Sequence, residues 1–355
     1  MKKNIITFLP WLLLILILFY CAFYPVKGLI GPVNLPEDDG FLSNEKVQWW
    51  YWTGHLKTEE GREFGFETVF FAFNSFIIMR DQLTQFAITD VKNQSFHFKE
   101  YLHFGLPEKI KNGFNMKAGP NNNVTASGGN GKDTIHGVVD GYTLDLQIIA
   151  TKEPVLHYSG GPHPFRYGGY TYYYSREHMQ AEGTITVEGK THKVTGTVWF
   201  DRQYGDLYQS IMKGWQWFAI ELEDNRQIML YDFLGKANQN ERFGSITNAK
   251  GKTQVLGPHD FQVKALGKWK SPHTGCTYPM GWNVTIGEEN FTVTPKVVDQ
   301  ELRASHGIWI GPEYWEGTNY VKGKTNGNAY VELNGFCRGV EGSIDIFDGI
   351  EEQEK

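Results

Sequence analysis

The sequence has few cysteines, no surplus of positive charge and almost no helical pattern. Three cysteines stand among 355 residues, with no C-x-x-C pair, and the 11 histidines show no H-x-x-x-H spacing. The spacings that hold structural or catalytic zinc are therefore missing, and no metal is expected. There is no Gly-rich phosphate loop and no G-x-S-x-G elbow, which argues against hydrolases of familiar type. No cofactor is expected either. Lys and Arg number 34 against 40 Asp and Glu, for a net charge of -6, and no basic stripe appears. Nucleic acid is not an expected partner. Outside the first 24 residues no window keeps an apolar helical period, so strands must build the core.

What the sequence does have fits that reading. Aromatics make up 15%, with 11 Trp, 18 Tyr and 24 Phe, alongside 40 Gly. This composition suits short strands, tight turns and large side chains that fill cores or pockets. Phe64 to Phe71 is aromatic and β-branched, and Tyr142 to Ile148 alternates apolar and polar. Thr184 to Val187 and Val194 to Trp199 flank Glu188-Gly189-Lys190, the signature of a hairpin. Tyr330-Val331-Glu332-Leu333 alternates too. Asn112 to Lys132, rich in Asn and Gly, reads as a long surface loop.

Two motifs recur in the same order. Glu182-Gly183-Thr184-x-x-Val187-x-Gly189-Lys190 returns as Glu316-Gly317-Thr318-x-x-Val321-x-Gly323-Lys324. Trp50-Tyr51-Trp52, then Glu60-Gly61-Arg62 and an aromatic strand, resembles Trp215-Gln216-Trp217, then Asp224-Asn225-Arg226 and Ile228 to Tyr231. Hairpins share turn residues by chance, but the paired order favours duplication. The chain is too long for one ordinary core and about right for two. The expected fold class is all-β: two antiparallel β-barrel domains in tandem, preceded by an N-terminal transmembrane helix. The first domain is placed at residues 45–205, the second at 206–347, with a linker at 25–44 and a tail at 348–355.

From Ile5 to Tyr24 there is no charge, which is long enough to span a bilayer. Lys2 and Lys3 precede it, so the barrels are expected outside the cytoplasm, anchored through residues 1–24. The rival reading is secretion after signal cleavage, but Tyr20 spoils a small-x-small site before Ala22. In an oxidising compartment Cys276 and Cys337 are free to pair; two separate buried thiols are the alternative.

The candidate chemistry lies in Trp199-Phe200-Asp201-Arg202, Trp215-Gln216-Trp217 and Tyr231-Asp232. Strand alternation puts Trp199 with Asp201, and Trp215 with Trp217, on shared faces. An acid among aromatics on the inner face of a barrel has its pKa raised by desolvation, which suits a proton donor. Aromatic faces stabilise a developing carbocation. The plainer reading pairs Asp201 with an arginine and buries the tryptophans as core.

At these residues the chain resembles the carotenoid 1,2-hydratase family and its AttH-type relatives, over about Gln48 to Gly342. The marks are Gln48-Trp49-Trp50-Tyr51-Trp52-Thr53-Gly54-His55-Leu56, Phe64-Gly65-Phe66-Glu67, Lys152-Glu153-Pro154-Val155-Leu156-His157 and Tyr172-Tyr173-Tyr174-Ser175-Arg176. They continue with Val194-Thr195-Gly196-x-x-Trp199-x-Asp201-Arg202, Gly214-Trp215-x-Trp217-Phe218, Tyr278-Pro279-x-Gly281-Trp282 and Tyr314-Trp315-Glu316-Gly317. The resemblance implies two lipocalin-like domains with a ligand cavity between or within them, and an apolar, isoprenoid-like ligand. It implies cofactor-free protonation of an alkene, with hydration, isomerisation or cyclisation to follow. Asp201, Asp232 and Tyr231 become the expected catalytic groups. Trp52, Glu67, Tyr174, Arg176, Trp199, Trp215 and Trp217 become the expected ligand-binding groups. Trp215 stands where the hydratases place His as the water-activating base. A non-catalytic carrier or sensor of a hydrophobic ligand in the cell envelope is the alternative function.

Overall fold

The computed structural model describes residues 31–76, 79–165, 168–207, 212–235, 241–303 and 313–337. Among them, strands form two large antiparallel sheets. The first runs in chain order through Val47–Thr58, Glu63–Phe76, Met79–Asp90 and Ser95–Phe104. After a break it continues through Phe114–Ala118, Val124–Gly129, Lys132–Val139, Tyr142–Ala150, Gly169–Val187 and Lys190–Leu207. The last strand returns to pair with the first, Asp201 opposite Tyr51. The second sheet repeats the plan. Met212–Leu222, Gln227–Gly235, Glu241–Thr247 and Thr253–Leu256 are followed, after a break, by Phe261–Ala265, Trp282–Ile286, Glu289–Pro295, Glu313–Gly323 and Gly327–Asn334. Here too the last strand pairs with the first, Glu332 opposite Trp217. Each sheet is a nearly closed barrel with one break, which leaves few open edges.

The repeated motifs take equivalent places. Glu182 and Glu316 lie in the next-to-last strand of their barrels; Trp50 and Trp215 lie in the first. The Trp-x-Trp copies nevertheless present opposite faces. Trp50 and Trp52 fill the first barrel, whereas Trp215 and Trp217 point out of the second, whose core takes Phe218 and Ile220. Counted from the following turn, the two motifs differ by one residue, and a one-residue slip reverses every side chain of a strand.

Both barrels are filled by their own side chains. Trp52, Phe66, Phe86, Ile135, Leu144 and Phe200 belong to the first core; Leu230, Trp282, Val293, Trp315 and Val331 to the second. Side chains of the opposite parity on the central strands meet between the barrels. Gly65 marks how close this approach is: a Cβ there would lie 2.8 Å from the Thr318 methyl of the second barrel.

Two sequence expectations change. Residues 31–44 are not a free linker. Asp39 is fully buried, where Arg176 Nη1 and Nη2 donate to its carboxylate at 2.8 and 2.9 Å, and Trp50 Nε1 donates to its carbonyl at 2.7 Å. Tyr204 donates to Asp38 at 2.7 Å. Acidic residues that look like solvated linker are thus the counter-charge for cations inside the first barrel. Nor is Asn112 to Lys132 a long loop. Phe114–Ala118 and Val124–Gly129 pair as a hairpin, with Phe114, Met116, Ala118, Val124 and Ala126 buried. The short alternation was hidden by the Asn and Gly of its turns. The hairpin at Glu188-Gly189 is as expected, with Val187 opposite Lys190 and φ of 54° and 74° at the turn.

Cys276 and Cys337 form a disulfide. No helix among the described residues is long and apolar enough to cross a membrane. The expected anchor, residues 1–24, and the tail at 348–355 lie outside the described residues.

Candidate functional site between the two barrels

A cavity of about 80 Å³ opens between the barrels. The first barrel contributes Trp49 and Tyr51, Val69 and Phe71, Phe165, Tyr173, and Asp201 with Gln203. The second contributes Trp215 and Trp217, Tyr231, Tyr314 with Glu316, and Glu332. On most of the contributing strands the cavity residues stand two apart, as alternation requires. The walls are mostly aromatic: Tyr51 meets Trp217 edge-on with centroids 5.5 Å apart, and Trp199 meets Trp217 likewise at 6.1 Å.

Asp201 sits in this wall, buried, and no arginine among the described residues holds it. Arg202 points the opposite way, into the first barrel, with its guanidinium 3.9 Å from the Trp50 ring centroid. Asp201 instead accepts from Tyr173 Oη at 2.6 Å, Trp199 Nε1 at 2.7 Å and Ser175 Oγ. Burial pushes its pKa up to about 6, and these three donors pull against that rise. Behind Ser175 stands His157, Nε2 to Oγ at 2.8 Å. Ser175 gives its only proton to Asp201, so His157 donates to Ser175. Burial lowers the His157 pKa to about 3, so the ring is neutral and able to hold that tautomer. Asp201 is the acid that stays ionised at neutral pH.

Opposite lies a second set of acids. Glu316 and Glu332 are direct cross-strand partners in the second barrel. Like charges so placed repel; Glu316 is buried and Glu332 half-buried. Glu316 accepts a hydrogen bond from Tyr51 Oη across the interface. Its pKa is raised, first by burial and then by Glu67 and Glu332. That of Glu332 is pushed up to about 7 by burial, with the Trp215 indole pulling it down and Asp201 adding to the rise. Glu67, on the face of Val69 and Phe71, is 1% exposed, and neither carboxyl oxygen has a hydrogen-bond partner. Burial and Glu332 raise its pKa too. Burial and their acidic neighbours therefore favour the protonated form of Glu316 and Glu67, whereas its three donors favour the ionised form of Asp201.

The expected site residues divide. Asp201, Tyr231, Trp215 and Trp217 line the cavity, and Trp199 and Glu67 lie directly behind its wall. Trp52, Tyr174 and Arg176 do not: they face the interior of the first barrel, where Trp52 donates to Asp133 at 3.1 Å and Tyr174 and Arg176 to Asp39. Asp232 faces the interior of the second barrel, salt-bridged to Arg242 and accepting from Gln216 at 2.8 Å. It is one residue out of phase with Tyr231, which reaches the cavity. The expectation that Asp201 faces a barrel interior also changes, since both interiors are full.

Sequence reasoning did not single out Glu316, Glu332, Tyr51, Tyr173, Ser175 or His157 as site groups. Glu316 and Glu332 stood in plain view as polar positions in alternating strands. Nothing local distinguishes a strand face covered by a second barrel from one covered by water. As for metals, Cys276, Glu313 and Cys337 bring three ligand atoms within 4.8 Å of one another, but the disulfide leaves no thiolate to bind one.

No protein among curated sequences matches this chain. Solved structures resemble it, two of them over most of its length. One is a putative AttH from Nitrosomonas europaea, 25% identical, with 88% of this chain and 100% of that one covered and a TM-score of 0.78. The other is kievitone hydratase from Nectria haematococca, 19% identical, with 87% and 94% covered and a TM-score of 0.69. The second likeness is one of fold. The sequence profile of the AttH-like family matches residues 30–336, nearly all of the described structure, and the chain belongs to that family.

Proposed function

We propose that the protein is a cofactor-independent hydratase acting on the alkene end of an apolar, isoprenoid-like substrate. The observation that carries this reading is a division of labour among buried acids. Glu316, whose protonated form is favoured by burial and by its acidic neighbours, faces the same aromatic cavity as Asp201, whose ionised form is favoured by three donors. Environments that push carboxyl pKa values apart assign acid and base roles. A cavity of this size takes the tip of a chain rather than a whole long ligand.

The reaction follows. The Glu316 carboxylic acid gives its proton to the less substituted alkene carbon; the π bond breaks and a tertiary cation forms. The faces of Trp217, Trp215 and Tyr231 hold that charge. Water adds to the cation, and Asp201 takes the proton it loses. Exchange through solvent takes that proton from Asp201 and returns one to Glu316. Tyr51 orients the Glu316 carboxyl, and Tyr173, Trp199 and Ser175 orient Asp201. The fold shared with a hydratase supports the reaction class. Hydration of a carotenoid end group is one member of that class, and isomerisation or cyclisation would start from the same cation.

This reading keeps the protein on the outer face of a membrane, anchored through residues 1–24. Lys2, Lys3 and the uncharged segment support it, and so does a disulfide, which suits an oxidising compartment. Protease added to intact spheroplasts should digest the barrels; full protection would remove the outward orientation.

The carrier reading has one observation of its own: Trp215 lines the cavity where hydratases place a histidine. Incubating the pure protein with prenyl-chain alkenes in ¹⁸O-water separates the two. A hydratase yields a tertiary alcohol carrying the label. Tight binding with no labelled product establishes the carrier.

A further inference from the structure

The cavity that serves the hydratase reading has a second property, which does not depend on catalysis. Its aromatic faces come from both barrels: Trp49, Tyr51 and Tyr173 from one, Trp215, Trp217 and Tyr231 from the other. Its ionisable groups are Asp201, Glu316 and Glu332, and none of its described lining residues is Lys, Arg or His. The nearby arginines Arg202 and Arg242 are turned into the two barrel interiors, one over Trp50 and one paired with Asp232. Glu67, behind the wall, adds a carboxyl whose two oxygens are buried without a hydrogen-bond partner.

An aromatic enclosure with carboxyl groups in its wall attracts a soft organic cation twice over. Ring faces carry negative potential and bind alkylated ammonium groups, which shed water easily. The Asp201 carboxylate adds a Coulomb attraction, and a bound cation favours release of the proton from Glu316 or Glu332 beside it. A bound cation would also supply a counter-charge that lets Glu316 and Glu332, side by side on neighbouring strands, ionise. Carboxylate or phosphate ligands meet the reverse on every count.

We propose that the cavity between the barrels is a binding site for alkylammonium cations, with the head group enclosed by Trp215, Trp217, Tyr231 and Tyr51 and facing Asp201, Glu316 and Glu332. The inference shares the cavity with the hydratase reading but not its chemistry. A stable ammonium would occupy the place where that reading puts a short-lived carbocation.

Choline and 3,3-dimethylbutan-1-ol test it, since they have the same shape and differ by one charge. The full chain is titrated with each, and with 3,3-dimethylbutanoate, by calorimetry and tryptophan fluorescence. Choline should bind at least ~10-fold more tightly than the neutral alcohol, and the carboxylate should not bind measurably. In Glu332→Gln, and separately in Glu316→Gln, the preference for choline should shrink. Each variant keeps the side chain's shape and removes an acid packed beside another acid, so both should fold, and near-ultraviolet circular dichroism checks this. Equal binding of choline and the alcohol overturns the proposal, as does binding of neither, or a preference untouched in both variants. Labelled hydration of a prenyl alkene without any choline preference overturns this inference alone. Choline preference without turnover overturns the hydratase reading alone.

Discussion

Glu182 and Glu316 occupy the same place in the same motif, in the next-to-last strand of their barrels, and both point away from their own barrel's core. Glu182 lies opposite Thr195 and is exposed to solvent. Glu316 lies opposite Glu332, is 2% exposed, and is bound by Tyr51 of the other barrel. The difference comes from what covers each. The second barrel presents the outer face of its first and last strands to the first barrel, whereas the outer face around Glu182 stays in water. Duplication supplied two equivalent acids, and docking one barrel on the other made only one of them a buried group. A polar position on an amphipathic strand thus gains its chemistry from the covering surface, not from its own sequence.

Glu316→Gln should break the comparison most visibly. Removing the proton donor while keeping shape should lower turnover of an identified alkene by ~1000-fold, within the range of general acid catalysis. Activity unaffected in a folded Glu316→Gln protein would remove Glu316 from the mechanism.

The disulfide separates the two barrels in another way, because only the second has one. Its 61-residue separation corresponds to about 4 kcal/mol in the loop-entropy treatment. Reduction should lower the stability of the second barrel and leave the first unchanged, as hydrogen exchange resolved by region would show. Alkylation under denaturing, non-reducing conditions should label neither cysteine; labelling of both would mean that no bridge exists in that preparation.

A pH series sharpens the contrast between covered and uncovered acids. Glu332 has a folded pKa of about 7, raised above its ordinary value by burial. Such a group favours the folded state fully below its unfolded pKa, and that contribution is lost as pH rises through about 7. For Glu332 it is on the order of 3 kcal/mol. Wild type should therefore lose stability relative to Glu332→Gln between about pH 5 and pH 8. Parallel melting curves for the two proteins across that range would contradict the burial of an ionisable Glu332.

Asp201→Asn keeps the size and most hydrogen bonds of the base. Turnover should fall by at least ~100-fold while ligand binding persists. Loss of binding and turnover together would make Asp201 a structural residue. The smallest effect belongs to Glu182→Gln, which should change stability by less than about 0.5 kcal/mol and turnover not at all. A large effect there would mean that its face is covered after all.

Much of this was legible in the strand pattern. Alternation placed Trp199 with Asp201 and Trp215 with Trp217, and the structure keeps each pair on one face, toward the cavity or its wall. The repeats located the matching strands of the two barrels. The resemblance put Asp232 and Trp52 at the site, but both face barrel interiors, because choosing a face requires knowing what lies on each side. Asp232 adjoins Tyr231 in sequence, yet alternation sends it to Arg242 in the opposite layer. Arg176 and Tyr174 carried the marks of a binding site, and their ligand proved to be Asp39 of the same chain.

The sequence by itself determined the all-β class, the duplicated plan, the hairpin at Glu188-Gly189 and the family, since these depend on local periodicity, turn chemistry and the order of motifs. Only the tertiary structure decided that both barrel interiors are full, that the cavity lies between them, and that Glu316 and Glu332 share it with Asp201, with Glu67 behind the wall. Those facts depend on which outer faces meet, and the free energy of burying a carboxyl is set by neighbours more than a hundred residues away in the chain.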